Sequence, residues 1–573
     1  MIRLWKWMNP WKVFLTVFFI LIQVIGMMLL PTFTANIIDF GVAEGDIGYI
    51  VRVGMVMLGV TFLNIVAAFL NVRLASLESQ GLGEKLRNKL YRRVSYFANE
   101  EMDRLGTSTL ITRTTNDVMQ IQFVTMLALR IMAMAPIMMG VAGFMAYQRE
   151  PQLAPVFLIS IPLLAVLLGV ILRFASPYFR SLQLKTDRLN RIFREGLTGI
   201  RVIRAFNTSD YEEERFDEAN QDFRDTAIKA FTIMGFMMPS MTFAISVTNV
   251  LIISIGAQLV STGDMRVGNM VAFLTYAMFI LIGVMNVSMV LFFLPRGQVA
   301  AERVLEVLDT PNSILDAEKT ATLEKKKNVS LEFDDVSFRY TGAEKPALEG
   351  IDFEARRGET VAIIGGTGSG KTTLSNLILR LYDVESGSVR INGMDVRDVS
   401  QHDLRSLIGY APQKALLFSG TIRENMQYGK PGATDEEIWH ALEIAQGAEF
   451  VSRLPQGLDS RVEQGGSNFS GGQRQRLSIA RALVTKADVY VFDDSFSALD
   501  FKTDSQLRKA LKPETRDSIV VLIAQRINTV TDADTILVLD NGKLVGKGTH
   551  EELKETNEVY QDIMNSQMKG EEI

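Results

Sequence analysis

The stretch Thr360-Val361-Ala362-Ile363-Ile364-Gly365-Gly366-Thr367-Gly368-Ser369-Gly370-Lys371-Thr372-Thr373 decides how this chain is read. An apolar, β-type run ends in the pattern G-x-x-x-x-G-K-[ST], and a helical run to Leu381 follows. Strand, glycine-rich loop and helix start make a phosphate cradle. The glycines let backbone N–H groups converge on a polyphosphate, and the helix N-terminus adds positive potential. Lys371 neutralises phosphate charge, and the Thr372 hydroxyl can ligand Mg²⁺. Residues Gly365, Gly366, Thr367, Gly368, Ser369, Gly370, Lys371, Thr372 and Thr373 are therefore expected to bind a nucleoside triphosphate.

Two downstream segments narrow the class. Asn468-Phe469-Ser470-Gly471-Gly472-Gln473-Arg474-Gln475-Arg476 leads into a helix, and Asp488-Val489-Tyr490-Val491-Phe492-Asp493-Asp494 is an apolar strand ending in two carboxylates. With the loop upstream, this set resembles the ATPase of ABC transporters. The resemblance extends over the whole chain, because six apolar spans precede the ATPase as in ABC exporters built as half-transporters. It implies an α-helical polytopic membrane domain of exporter type, with long cytosolic helical extensions, followed by an α/β P-loop ATPase.

The chain of 573 residues is too long for one core. Residues 310–329 lose periodicity and read as a linker between a membrane domain at 1–309 and an ATPase domain at 330–573. Apolar stretches near 13–38, 50–73, 122–147, 152–173, 232–260 and 268–294 are each long enough to cross a hydrocarbon layer of about 30 Å. The long connections 74–121 and 174–231 are rich in Arg and Lys, which places them and both termini in the cytosol. A net charge of -5 gives no reason to invoke nucleic acid, and the absence of cysteine excludes disulfides and thiolate chemistry. Met1 to Lys12 interleaves tryptophans with basic residues, as an interfacial elbow helix does. Met126, Met132, Met134, Met138 and Met139, with others in spans five and six, suit either a cavity that repacks around apolar guests or ordinary interhelical filling.

By resemblance, short transverse helices are expected near Phe97–Arg104 and Asn207–Phe216. Tyr340 matches the aromatic that stacks on adenine. Thr372, Gln413 and Asp493 match the Mg²⁺ site. Ser470, Gly471, Gly472 and Gln473 match the signature that acts on ATP bound by a partner, and Asp500 lies in the loop that passes between the two sites.

Two positions depart from the family pattern. Asp494 stands where a Glu polarises the attacking water, and Gln525 stands where a His is usual; His402, His440 and His550 lie elsewhere. Shortening Glu to Asp withdraws the carboxylate by about one bond, and a ~1 Å misplacement can lower a rate by about 10²-fold. Replacing His by Gln removes the group that titrates near neutrality. Gln413, Asp494 and Gln525 are thus the catalytic candidates of a site that binds ATP and Mg²⁺ and turns over slowly. An impaired loop side beside an intact signature resembles the degenerate-site half of bacterial heterodimeric multidrug exporters. That implies a second, different half-transporter as partner, amphipathic small molecules as cargo and a bacterial cell membrane as location. A lipid or peptide cargo, a mainly regulatory ATP-binding subunit and a homodimer stay open as alternatives.

Overall fold

Six long helices carry the apolar stretches: Pro10–Val42, Ile47–Val94, Thr107–Arg149, Pro151–Thr198, Ser209–Ser261 and Val267–Asp309. Every stretch expected to cross a bilayer falls inside one of them. Each helix exceeds the roughly 20 residues a bilayer requires, so the charged segments continue the spans as helix. At ~1.5 Å per residue, Ile47–Val94 is about 70 Å long. The computed structural model describes residues 1–317 and 329–571. These form two units, Met1–Val94 with Ser108–Asp309, and Ser95–Thr107 with Thr310–Ile573. Residues 310–317 of the expected linker hold no helix or strand, and 318–328 lie outside the described residues.

Polar side chains inside the first unit are spent on each other, as a low-dielectric surrounding demands. Asn71 donates to Gln23 at 2.5 Å, and Thr248 donates to Ser160 at 2.8 Å. At the end of the third span Arg149 donates to Asn269 and Asn36, while Asn269 donates to Glu150. The amide of Gly268 completes this knot on Asp39 at 2.7 Å. The N-terminal segment is packed as well. Leu4 is buried, Trp5 Nε1 donates to Thr125, and Lys89 sits 3.9 Å from the Trp7 ring centroid. The methionines divide: Met138 is core, whereas Met132, Met238, Met278 and Met289 are exposed.

The first expected transverse helix is present as Asn99–Leu105. It groups with the second unit. The second differs from expectation: the short helix is Ile200–Ala205, and Ser209–Gly235 is already the long helix that continues toward the fifth span. Asn207, with φ of 52°, makes the break between them. The break lies in the polar Asn-Thr-Ser that follows the apolar run, and such residues favour turns and helix starts over helix interiors.

In the second unit five parallel strands are buried, as continuous Val/Ile/Leu runs require. The loop strand Thr360–Gly365 lies between Ile519–Ile523 and Thr535–Asp540; Val489–Asp493 and then Ile408–Ala411 extend the sheet beyond Ile519–Ile523. Lys543–Gly548 closes the other edge antiparallel. A second, antiparallel sheet joins Leu348–Arg356, Ser330–Phe338 and Ser386–Ile391. Four helices start on the sequence S/T-x-x-E/Q, at Thr421, Thr434, Ser470 and Thr549, and each makes the reciprocal cap that this spacing permits. Each cap contributes about 1 kcal/mol.

Candidate functional site

Ligand sites in open parallel sheets form beyond the carboxyl ends of the strands. Register makes that concrete here. Ile523 pairs with Asp493 and with Ile363, and Ala411 pairs with Phe492, so the chain leaves four strands at one level. The glycine-rich loop, Gln413, Asp493 with Asp494, and Gln525 emerge there together. Gly365 and Gly370 cannot be replaced without displacement. A Cβ on Gly365 would lie 2.2 Å from the Leu539 carbonyl oxygen, and Gly370 has φ of 102°.

Lys371 opens the helix Lys371–Ile378, and its Nζ donates to the carbonyls of Gly365 at 2.9 Å and Gly366 at 2.6 Å. Burial lowers its pKa, opposed by the charges of Asp494 and Asp493. One helical turn presents Thr372 and Ser375 to Asp493: Thr372 Oγ1 donates to Oδ1 at 3.3 Å, and Ser375 Oγ donates to Oδ2 at 3.2 Å. Burial pushes the Asp493 carboxyl above its ordinary range, opposed by these two hydroxyls. A hydroxyl beside one carboxylate is the sparse, hard-oxygen set that Mg²⁺ takes when phosphates and waters fill its remaining positions. Among the described residues no group of three or more His, Cys, Asp or Glu could hold a metal ion alone. The Thr372 hydroxyl beside the Asp493 carboxylate fits Mg²⁺ arriving with a nucleotide.

Asp494 is held from three directions. Its backbone lies in the left-handed region at φ of 47°, and its amide donates to the Ile523 carbonyl at 2.9 Å. Its Oδ2 accepts from Gln413 Nε2 at 3.2 Å and from Gln525 Nε2 at 3.0 Å. Asp494 is only 8% exposed, and burial raises its pKa above the usual carboxylate value. All three candidates for the catalytic role thus converge on one carboxylate oxygen.

Tyr340 follows the strand Ser330–Phe338 and stands edge-on to Phe338 and Tyr382, at centroid distances of 4.9 and 5.3 Å. Its hydroxyl bonds to Thr373 Oγ1 at 2.9 Å. Thr373, expected to serve phosphate, therefore gives its hydroxyl to the aromatic side of the site. Tyr382 in turn donates to Asp103 at 2.7 Å, and Thr341 donates to Glu100 at 2.7 Å, so the helix Asn99–Leu105 lies against this aromatic edge. Burial and Asp103 raise the Tyr382 pKa.

The signature residues form a helix start. Ser470 Oγ accepts from the Gln473 amide, and Gln473 Oε1 accepts from the Ser470 amide at 2.9 Å. The helix Gly471–Leu483 thereby presents its N-terminus with Gly471 facing open space. Asp500 caps the helix Phe501–Glu514 through Thr503, accepting from its amide and hydroxyl at 2.9 and 2.7 Å. Sequence reasoning missed Ser375, Tyr382 and Asp103. Ser375 was findable, because it stands three residues after Thr372 on one helix face. The Tyr382–Asp103 bond joins distant segments and leaves no local signal.

Residues 13–285 match the family model of the ABC transporter transmembrane region, and residues 348–497 match that of the ABC transporter. An uncharacterized ABC transporter ATP-binding protein of Mycobacterium tuberculosis is 41% identical over 96% of this chain and 94% of its own length. One from Bacillus subtilis is 36% identical over 94% and 93%. The ATP-dependent lipid A-core flippase of Desulfotalea psychrophila is 33% identical over 93% and 92%. In fold, the chain is similar to a bacterial Atm1-family ABC exporter with ATP bound, at a TM-score of 0.80, 24% identity and coverage of 97% and 98%.

Proposed function

Since this chain belongs to the ABC transporter family, a multi-pass membrane protein whose ATPase domain couples ATP hydrolysis to transport, we propose that it exports amphipathic compounds as the slow-site half of a heterodimer. One observation carries this reading. The carboxylate that would polarise the attacking water is an Asp, and its Oδ2 is tied to two glutamine amides. Water activation needs a carboxylate within hydrogen-bond reach of the water and basic at the operating pH. Asp494 is a bond shorter than Glu, and neither Gln413 nor Gln525 can carry a proton away.

In this reading the backbone amides after Gly365 and the Lys371 ammonium cradle the phosphates, and Tyr340 stacks on the adenine. Thr372 and Asp493, with Gln413, would hold Mg²⁺, which would supply positive charge against the phosphates. The Gly471–Leu483 helix start completes the partner's site, where an N-terminal dipole favours the transferring phosphoryl group. The domains are 1–309 for transport and 330–573 for ATP, joined by 310–329, with the Arg-rich and Lys-rich connections in the cytosol. A lipid cargo is the second reading, favoured by the resemblance to a lipid A-core flippase.

The test is purification in mild detergent of the complex this chain forms in its own membrane. A second, different half-transporter carrying Glu and His at the matching positions, with hydrolysis only in the mixed complex, is the expected result. An active complex made solely of this chain would overturn the heterodimer.

A further inference from the structure

A cavity of about 1210 Å³ opens between the fourth, fifth and sixth spans, and its lining includes Arg173, Arg180 and Arg296. Among the described residues that line it there is no Asp or Glu. The remainder of the wall is largely apolar, with Leu172, Phe179 and Met234. Pro177 and Pro295, each inside a long helix, also line it, and a proline N removes one helical hydrogen bond; at Pro177 the partner so lost is the carbonyl of Arg173. Arg173 lies about 26 Å along its helix from Val156 at ~1.5 Å per residue, and Arg180 about 36 Å. A hydrocarbon layer of about 30 Å counted from Val156 ends between Arg173 and Arg180, and Arg296 lines the same cavity.

Arginines at that depth commonly anchor a helix by reaching outward to lipid headgroups. Three that line one cavity do something different: they build a local positive field beside an apolar wall. Guanidinium groups bind phosphate, sulfate or carboxylate through paired donors, and the field is strengthened where the wall excludes water. Resting on the export reading above, we propose that this cavity is the loading site for the cargo and that the cargo is an anionic amphiphile. Its charged head engages Arg173, Arg180 and Arg296, and its tail lies along Leu172, Phe179 and Met234.

The test uses the full complex in phosphatidylcholine nanodiscs without nucleotide. Binding of dodecyl phosphate, dodecylphosphocholine and dodecyltrimethylammonium is measured, all sharing one tail. In a separate arm, fluorescent phosphatidic acid is added to the bilayer. Dodecyl phosphate is expected to bind about tenfold or more tighter than the other two, the size of one charge-assisted hydrogen bond. The triple variant R173Q/R180Q/R296Q loses that preference, and the triple Lys variant retains most of it, which separates lost charge from a damaged fold. Phosphatidic acid binding points to a membrane lipid as cargo, and dodecyl phosphate binding alone points to a single-chain compound; both support the proposal. Equal binding of all three head groups, or a preference that survives the triple Gln variant, overturns it while leaving the export reading intact. Failure to bind any amphiphile overturns both.

Discussion

Gln525 Nε2 lies 3.0 Å from Asp494 Oδ2, the same oxygen that Gln413 Nε2 reaches at 3.2 Å. Two neutral donors on one carboxylate oxygen hold it in place, and the bond from Gln413 favours its charged form, against the burial that disfavours it. On the proposed reading, this site holds a nucleotide and moves a proton slowly. Restoring Glu and His should restore turnover. Asp494→Glu with Gln525→His is expected to raise single-turnover hydrolysis at this chain's site by about 10²-fold, the scale of a ~1 Å repositioning. The measurement is made with the partner's site disabled, and an unchanged rate rejects this explanation of slow chemistry.

A Cβ added at Gly471 would meet no atom within 4 Å beyond its immediate chain neighbours and its own helix backbone, so the position has room for a side chain. Gly471→Asp is therefore expected to leave thermal stability within about ±0.5 kcal/mol, the range of ordinary surface changes. It places a negative charge where the partner's phosphates would sit. Turnover of the whole complex should fall by about 10²-fold or more, the loss seen when one transition-state donor is removed. Undiminished hydrolysis would mean this signature serves no active site.

Tyr340 offers a ring to a base and a hydroxyl to Thr373. Tyr340→Ala should weaken ATP binding by about tenfold or more, since base–aromatic stacking contributes about 1–3 kcal/mol. Tyr340→Phe and Thr373→Val keep the ring and should change affinity much less. Equilibrium binding of ATP to the three variants decides the matter, and equal losses in all would assign the effect to the hydrogen bond.

Asp493 and Asp494 both titrate above their ordinary value of 3.8, chiefly through burial. A carboxylate must shed its proton to hold Mg²⁺. Magnesium-dependent ATP affinity should therefore fall on acidification from a higher pH than an ordinary Asp would give. Ser375→Ala removes a bond that favours the ionised form and should move that edge to higher pH still. For folding the sign is reversed. Between the ordinary and raised pKa values the native chain holds more protons than the unfolded one, so the stability these two groups lend is present below that window and lost as pH rises through it. Affinity and melting temperature measured across the acid range check both statements.

Much of this was legible because local rules carried it. Six apolar runs could become nothing but buried or membrane helices, and the run Thr360 to Thr373 has a single physical reading as a strand, loop and helix start. The S/T-x-x-E/Q starts at Thr421, Thr434 and Thr549 carried the same local signal for helix caps. Departures arose where two segments compete or meet. Asn207–Phe216 has helical composition, and so does Ile200–Ala205; the placement of the chain break at Asn207 decided which became the short helix. Thr373 was read from its neighbours in sequence, whereas its hydroxyl answers to Tyr340, 33 positions away. The convergence of Gln413 and Gln525 on one Asp494 oxygen needed the parallel register of three strands, which no spacing encodes.

On this account the chain's own loop holds ATP while the site its signature completes does the hydrolysis. The most direct measurement is the nucleotide on each chain after turnover, read by photocrosslinking radiolabelled ATP in the intact complex and separating the chains. ATP on this chain with ADP on its partner is the expected result. ADP formed at equal rates on both would contradict it.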